Sequence, residues 1–429
     1  MEIRDPIHGP IAIDPRERPV LEHPLVRRLR RIRQLGFAEA TFPGAVHTRF
    51  LHSVGSMHLA GRAFEMASRD LPDLSEPERR RLRTAVRLAA LLHDLGHGPL
   101  SHTGEGLLPP LGALSVLPPG SDPSVRATHE DMTRALVLGS DLKDLLDRTF
   151  RDQGVGAIEV AALLGWPGED PFRLPSGSAL PLLRQLISGE MDADRMDYLR
   201  RDSLFTGASY GHFDLDWLLS HLGSHRVDGQ WHLALESPAL FAFEDFLLAR
   251  HHMFLMVYAH RRTLCYQRLL DRFIAQQGPG LQVPADPDSF VRCDDDWLWS
   301  RLAASDSIFA RRIIEYRPLP LAVEVWDDEA DALEDRKETI CRALPPSCEW
   351  IRVEFEFSRE HPGGRRGPRA EPLWVRLTHP GAGRSTMRMD DYSDLYLRQA
   401  RRRRVVRIHC EDPDDPRVAE VLSRTAATE

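Results

Sequence analysis

The chain has 429 residues, 42% of them hydrophobic and 28% charged, and a formal net charge of -8 at pH 7. This balance supports a large buried core and argues against a disordered chain or a generally basic surface that coats nucleic acid. No run approaches the roughly 20 apolar residues that span a bilayer. The opening MEIRDPIHGP has no basic-then-apolar leader pattern, so a cytoplasmic protein with no membrane partner is expected.

From Pro24 to Gln276 the apolar residues recur three or four apart, as on helices. HSVGSMHLAGRAFEMASR, EPERRRLRTAVRLAALLHDLG, THEDMTRALVLGSDLKDLLDRTF and ALPLLRQLISGEMDADRMDYLRRD each read as helical, with Ser, Asp and Pro between them. HRVDGQWHLAL holds a turn dipeptide, Asp228-Gly229, between alternating runs and predicts a hairpin. One long helix is expected over Ser237 to Gln276, opened by a Ser-Pro start.

QQGPGLQVPADPDS then reads as a linker, and the pattern changes to the alternation of half-buried strands in EWIRVEFEFS, PLWVRLTH and RRVVRIHC, with a loop REHPGGRRGPRAEP. The expected architecture is therefore mainly α, a helical core over residues 1–278 followed by a smaller α+β region over 279–429. The five cysteines are scattered and form no CxxC pair, which fits free thiols. The arginine-dense LVRRLRRIRQ and RQARRRRVVRIHC read more readily as solvated edges than as binding patches.

Chemistry concentrates in LLHDLGHGPLSH, Leu91 to His102. Two glycines and a proline stop the preceding helix, leaving His93 and Asp94 at its end, where an imidazole and a carboxylate can reach one ion. That pair suits a borderline divalent metal such as Zn, Fe or Mn. His52, at a helix start, and Asp194, near another, offer two further ligands, and four ligands on a six-coordinate metal would leave room for water and a substrate oxygen. Taken alone, an HD dipeptide is equally well a helix end where both residues simply cap.

The stretches DPIHGPI, RLRRIRQLG, FPGAVHTRFLHSVGSMHLAG, LLHDLGHGPLSH, THE, DADRMDYLRRD and SYGHFDLD occur in this order between Asp5 and Asp216. Together they resemble the HD-domain metal-dependent phosphohydrolases, in the branch of the vertebrate SAM-and-HD-domain dNTP triphosphohydrolases and their bacterial relatives. The resemblance implies an HD-domain helical core in which His52, His93, Asp94 and Asp194 hold a divalent metal (Fe, Mn or Zn), with Mg accompanying a triphosphate. His97 and His102 would lie beside the α-phosphate, His102 would donate the proton to the leaving 5′ oxygen, and His129 would contact phosphates. Glu105 stands where an Asp tunes that acid in the vertebrate relatives.

By the same route Arg49, Arg195, Tyr198 and Arg261 would bind phosphates, while Gln34 and Asp202 would read the sugar. An exposed arginine at a helix start opposes the helix dipole, which favours a functional role for Arg49. The implied activity is hydrolysis of a deoxynucleoside triphosphate to deoxynucleoside and triphosphate by a homo-oligomer with the arginine-rich N-terminal segment at its interface. Around the pocket where vertebrate relatives bind activating nucleotides, Arg30 is kept, but Arg4, Glu22, Arg27 and Trp217 depart from the pattern. The alternatives are hydrolysis of another nucleotide or of single-stranded nucleic acid, and a nucleotide-sensing assembly module.

Overall fold

The structure, a computed structural model, describes residues 1–72, 74–327, 351–357, 371–379, 383–399, 403–411 and 416. It is mainly α, as the apolar spacing predicts. The centre is the helix Arg49–Ala67, of whose 19 residues 14 are buried, His52, Ser53 and Ser56 among them. It is flanked by the helices Glu76–Leu92 and Ala193–Thr206, the two elements that, with it, carry the metal-type side chains. Leu, Ala, Val and Phe fill the spaces between them, each large apolar side chain contributing roughly 1.5–3 kcal/mol on burial.

Local chemistry sets where these helices begin. Ser75 and Glu78 form a reciprocal capping box at the start of Glu76–Leu92, and Thr128 and Asp131 do the same for His129–Gly139. Asp192 caps Ala193–Thr206 by accepting from the Arg195 amide at 2.7 Å, which leaves Asp194 in the first turn. The hairpin forms as expected from Leu222–Val227 and Gln230–Glu236, with Asp228 and Gly229 both at positive φ, the backbone a two-residue turn of this kind demands.

The expected single helix from Ser237 to Gln276 is instead two. A 3-10 turn, Ser237–Ala239, leads into Leu240–Met253, a π-turn follows at Phe254–Tyr258, and the chain breaks before Arg261–Gln277. At the break His260 is extended and its ring accepts from the Arg262 amide at 3.4 Å, so it caps the new helix, while Arg407 of the C-terminal strand bonds the Ala259 carbonyl. Apolar spacing continues across this point, which is why the pattern alone reads as one helix.

Of the C-terminal strands, Trp374–His379 and Gly383–Arg388 pair with each other and continue the sheet that contains Gln230–Glu236. Arg376 locks that joint through Asp70 at 2.8 Å and Glu236 at 2.8 Å. Leu321–Asp327, Arg403–His409 and Ile351–Phe357 make a separate antiparallel sheet with Arg403–His409 in the middle. Most of the expected loop REHPGGRRGPRAEP lies outside the described residues, as do Cys341 and Cys348; Cys265 and Cys293 are buried free thiols, and Cys410 is buried.

Candidate metal centre

The helix Glu76–Leu92 ends just ahead of the Gly96–Pro99 stop that the sequence predicts, with His93 as its C-cap and Asp94 directly beyond. His52 projects from the first turn of Arg49–Ala67 and Asp194 from the first turn of Ala193–Thr206. The three elements aim their side chains at one point. His52 Nε2 lies 2.9 Å from Asp194 Oδ1, 3.4 Å from His93 Nε2 and 3.5 Å from Asp94 Oδ2; His93 Nε2 lies 3.4 Å from Asp94 and 3.6 Å from Asp194.

The other nitrogen of each ring is already spoken for. His93 Nδ1 is 2.7 Å from the Ala90 carbonyl, which can only accept, so that nitrogen carries the hydrogen. His52 Nδ1 is 2.8 Å from the Asp197 carboxylate, the arrangement that fixes the tautomer of a metal-binding histidine. Both Nε2 lone pairs therefore face inward, toward two carboxylates. Without a cation, burial disfavours charge on His52, yet its bonds to Asp194 and Asp197 overcome this and lift its pKa to about 10. Two imidazoles and two carboxylates of this geometry fit a divalent metal of the Fe, Mn or Zn type.

Asp197 is itself the hub of a buried network. It takes a two-point contact from Arg201, at 2.8 Å each, and His8 sits 2.7 Å from its other face; Arg201 reaches Asp5 at 2.9 Å. The DPIHG segment thus acts at a distance, holding the carboxylate that orients His52. Gly55 makes the approach possible: a Cβ there would lie 2.0 Å from Asp197 Oδ1. None of Asp5, His8, Asp197 and Arg201 was marked by the sequence as part of a site. The available signal was Asp197 itself, three residues beyond Asp194 and so on a neighbouring face of the same helix.

Beside these four side chains stands a second group. The His97 and His129 rings stack at 3.9 Å, and the His102 ring stands edge-on to both, at 4.6 and 4.9 Å. Glu105 joins His102 at 2.9 Å and His129 at 2.7 Å, both through Nδ1. Burial opposes the Glu105 charge, but those two bonds win and hold its carboxyl far below the usual range. His97 is fully buried, and burial, Arg49 and His129 hold its pKa well below the ordinary value; its ring nitrogens make no well-formed hydrogen bond among the described residues. His97 Nε2 is 3.3 Å from Asp94, so the two groups share an edge. Gly96 lets the His129 helix in, since a Cβ at that position would lie 2.2 Å from the His129 carbonyl oxygen.

No family profile matches the chain. The uncharacterized protein YwfO of Bacillus subtilis is 31% identical over 339 residues, 78% of this chain and 67% of that protein. The deoxynucleoside triphosphate triphosphohydrolase SAMHD1 of Homo sapiens is 30% identical over 314 residues, 68% of this chain and 44% of that protein. Among solved structures, a hypothetical protein from Aquifex aeolicus superposes with a TM-score of 0.75 at 25% identity, covering 98% and 99% of the two chains. A phosphohydrolase from Bacteroides thetaiotaomicron has the same fold, with a TM-score of 0.67 at 23% identity over 96% and 99%. The chain belongs to the HD-domain phosphohydrolase family.

Most of the other expected residues also gather at this HD centre. Arg49 is buried, bonded to Asp94 and, at 2.7 Å, to Ser101 Oγ. Asp202 lies 2.7 Å from His47 Nε2 and accepts from the Tyr258 hydroxyl at 2.8 Å, while Tyr198 packs 6.0 Å from Tyr258 and 6.5 Å from His52 between centroids. Gln34 is buried and its side-chain oxygen has no partner among the described residues. Arg195 is buried and turned toward the Gly189–Asp192 turn, with Glu190 at 3.7 Å and Asp192 at 3.9 Å.

Arg261 is the exception. The helix break leaves it exposed at the start of Arg261–Gln277, beside His260 and His409 rather than the HD centre. The buried cation that the HD fold does supply from this part of the chain is Arg250, near Arg195, Tyr198 and Glu190. His47, Tyr258 and Arg250 are the further members that the sequence did not reveal. Of the positions that depart from the vertebrate pattern, Glu22 pairs with Arg18 at 2.8 Å on the surface and Trp217 is exposed.

Proposed function

We propose that the protein is a metal-dependent deoxynucleoside triphosphate triphosphohydrolase, releasing deoxynucleoside and triphosphate. The observation that carries the reading is the pairing of an inward-facing two-histidine, two-carboxylate nest with a solvent-facing imidazole, His102, held at 2.9 Å by Glu105. Relatives at about 30% identity that carry this activity in their names support the choice of substrate.

His52, His93, Asp94 and Asp194 would hold the metal, which supplies Lewis acidity and a solvent nucleophile at the α-phosphate. The chain's own residues do the rest. Arg49 neutralises charge at the α-phosphate, and His97, held neutral by burial, can face a phosphate oxygen without bringing a charge to be desolvated. His129 and Arg195 contact the remaining phosphates, whose charge is partly offset by the Mg that accompanies a triphosphate. His102 carries the proton to the leaving 5′ oxygen, and Glu105 fixes its ring so that Nε2 is the donating atom. Tyr198 contacts phosphate, Asp202 and Gln34 bound the sugar, and Arg250 takes the phosphate role expected of Arg261. The arginine-rich N-terminal segment forms the contact of a homo-oligomer, a state that light scattering measures directly.

Incubation of the purified protein with each dNTP and Mn, Fe or Mg should yield nucleoside and inorganic triphosphate. No such products from any of the four, with metal bound, would end this reading in favour of another phosphorylated substrate; salt-dependent oligonucleotide binding and cleavage would point to a polymer.

A further inference from the structure

The loop between His97 and His102 has an unusual backbone. Leu100 and Ser101 both take positive φ, 58° and 60°, a left-handed conformation that side chains with a Cβ rarely adopt, and neither is glycine. Both are buried. Two consecutive strained residues persist only where their surroundings impose them, and they lie between two imidazoles of the HD centre.

What imposes them comes from far along the chain. Asp295, buried at the first position of the helix Asp295–Ala303, accepts the Leu100 amide on Oδ1 at 2.7 Å and the Arg33 amide on Oδ2 at 2.9 Å. Ser101 Oγ bonds the Arg33 carbonyl, so Arg33 holds the second strained residue while Asp295 holds the first. Arg28, also buried, completes the clamp: its Nη2 donates to the His97 carbonyl at 2.7 Å and to the Cys293 carbonyl at 2.7 Å. Arg31 closes the outer side on Asp294 at 3.1 Å and Asp296 at 3.2 Å. Two of the five arginine side chains of LVRRLRRIRQ, Arg28 and Arg31, thus bind residues 293–296, and Arg33 joins them through its backbone amide.

We propose that Asp295 is a positioning residue for catalysis: its carboxylate forces the left-handed turn at Leu100–Ser101 and so sets where the His97 and His102 rings stand. A carboxylate is required because two amides from two separate segments each need an acceptor, and an amide side chain supplies one acceptor and turns a donor toward the other N–H. The proposal rests on the hydrolytic reading for the importance of these two rings, and its test separates the two.

Asp295→Ala and Asp295→Asn are compared with wild type in the metal-loaded full chain. In Asp295→Ala kcat falls about tenfold or more while KM stays within about threefold and the metal content is unchanged, since a ring displaced by about 1 Å costs rate rather than binding. Asp295→Asn, which keeps one acceptor, loses less, and it serves as the readable variant if the alanine form does not fold. In a His102→Ala background the Asp295 change costs under about threefold more, because the two act through one ring. Independently of turnover, the imidazole NMR signals of His97 and His102 shift or double in either variant while that of His225, on the distant hairpin, stays in place. Full additivity with His102→Ala, or unmoved His97 and His102 signals, overturns the proposal. A wild type with no turnover overturns the hydrolytic reading alone, and the NMR signals still decide the role of Asp295.

Discussion

The two halves of the HD centre are built on different terms. The half that would hold the metal is buried at His52 and Asp94 and opens at Asp194, 33% of whose side chain is exposed; His52 Nδ1 is tied to Asp197, and that carboxylate is gripped by Arg201 and His8. The acid half is open, with 64% of the His102 side chain and 36% of that of Glu105 exposed. The difference fits the work proposed for each. Ligands must be preorganised, because unpaired buried carboxylates are costly and a misplaced one loses the ion, whereas a proton donor must meet a substrate that arrives from solvent. Rigidity in the first half therefore comes from packing, and in the second from one carboxylate and a strained loop.

The sharpest way to break the comparison is to remove a buried ligand. Asp94→Ala should abolish metal binding and lower activity by about a thousandfold or more, with Arg49 left without its carboxylate; metal analysis by mass spectrometry beside a product assay checks both. His102→Ala should cost about 10²–10⁴ in kcat and leave the metal in place, because the open half touches no ligand except through His97 and Asp94. Loss of metal in that variant would show the two halves to be one structural unit.

Asp197→Asn tests the metal half from behind. It keeps the shape but weakens the hold on His52 Nδ1, and metal affinity should fall by about 10–100-fold in a chelator competition titration. Glu105→Gln is the mildest. Glu105 is strongly acidic, held so by His102 and His129, hence ionised at every ordinary pH, and the acid limb of the rate profile is not its own. Removing that charge leaves a neutral amide oxygen between the two imidazole Nδ1 atoms, so kcat should fall by about tenfold in the product assay, with the metal content unaltered.

A last test concerns stability without the ion. His52 has its pKa raised from 6.5 to about 10 in the metal-free fold, so its contribution is complete below pH 6.5 and is lost as the pH rises toward 10. The metal-free protein should therefore show a falling Tm across that window, and the metal-loaded protein a much flatter curve, because the ion replaces the proton between His52 and the carboxylates.

Much of the site was legible as residue types at set distances along the chain. His93 and Asp94 announce themselves by ending an apolar helix against Gly-His-Gly-Pro, and Asp194 by following a capping Asp192. Helix existence was legible for the same reason, since burial of one face writes itself into a 3.6-residue period. The break at Ala259 and His260 was not, because the apolar period runs on through it and only the cap and the Arg407 contact interrupt the backbone. That one break moves Arg261 out of the centre.

The sequence by itself determined the chemistry on offer: which helices form, which residue types stand at their ends, and that histidines and carboxylates fall within a turn of those ends. Only the tertiary structure decided the partners: Asp197 behind His52, Glu105 between two imidazoles, Glu190 beside Arg250, and Asp295 beneath a strained loop nearly 200 positions away. The physical reason is one of range. Helical propensity and capping act over three or four residues and are written locally, whereas the second hydrogen bond of each side chain is chosen by whatever the packed core brings alongside it.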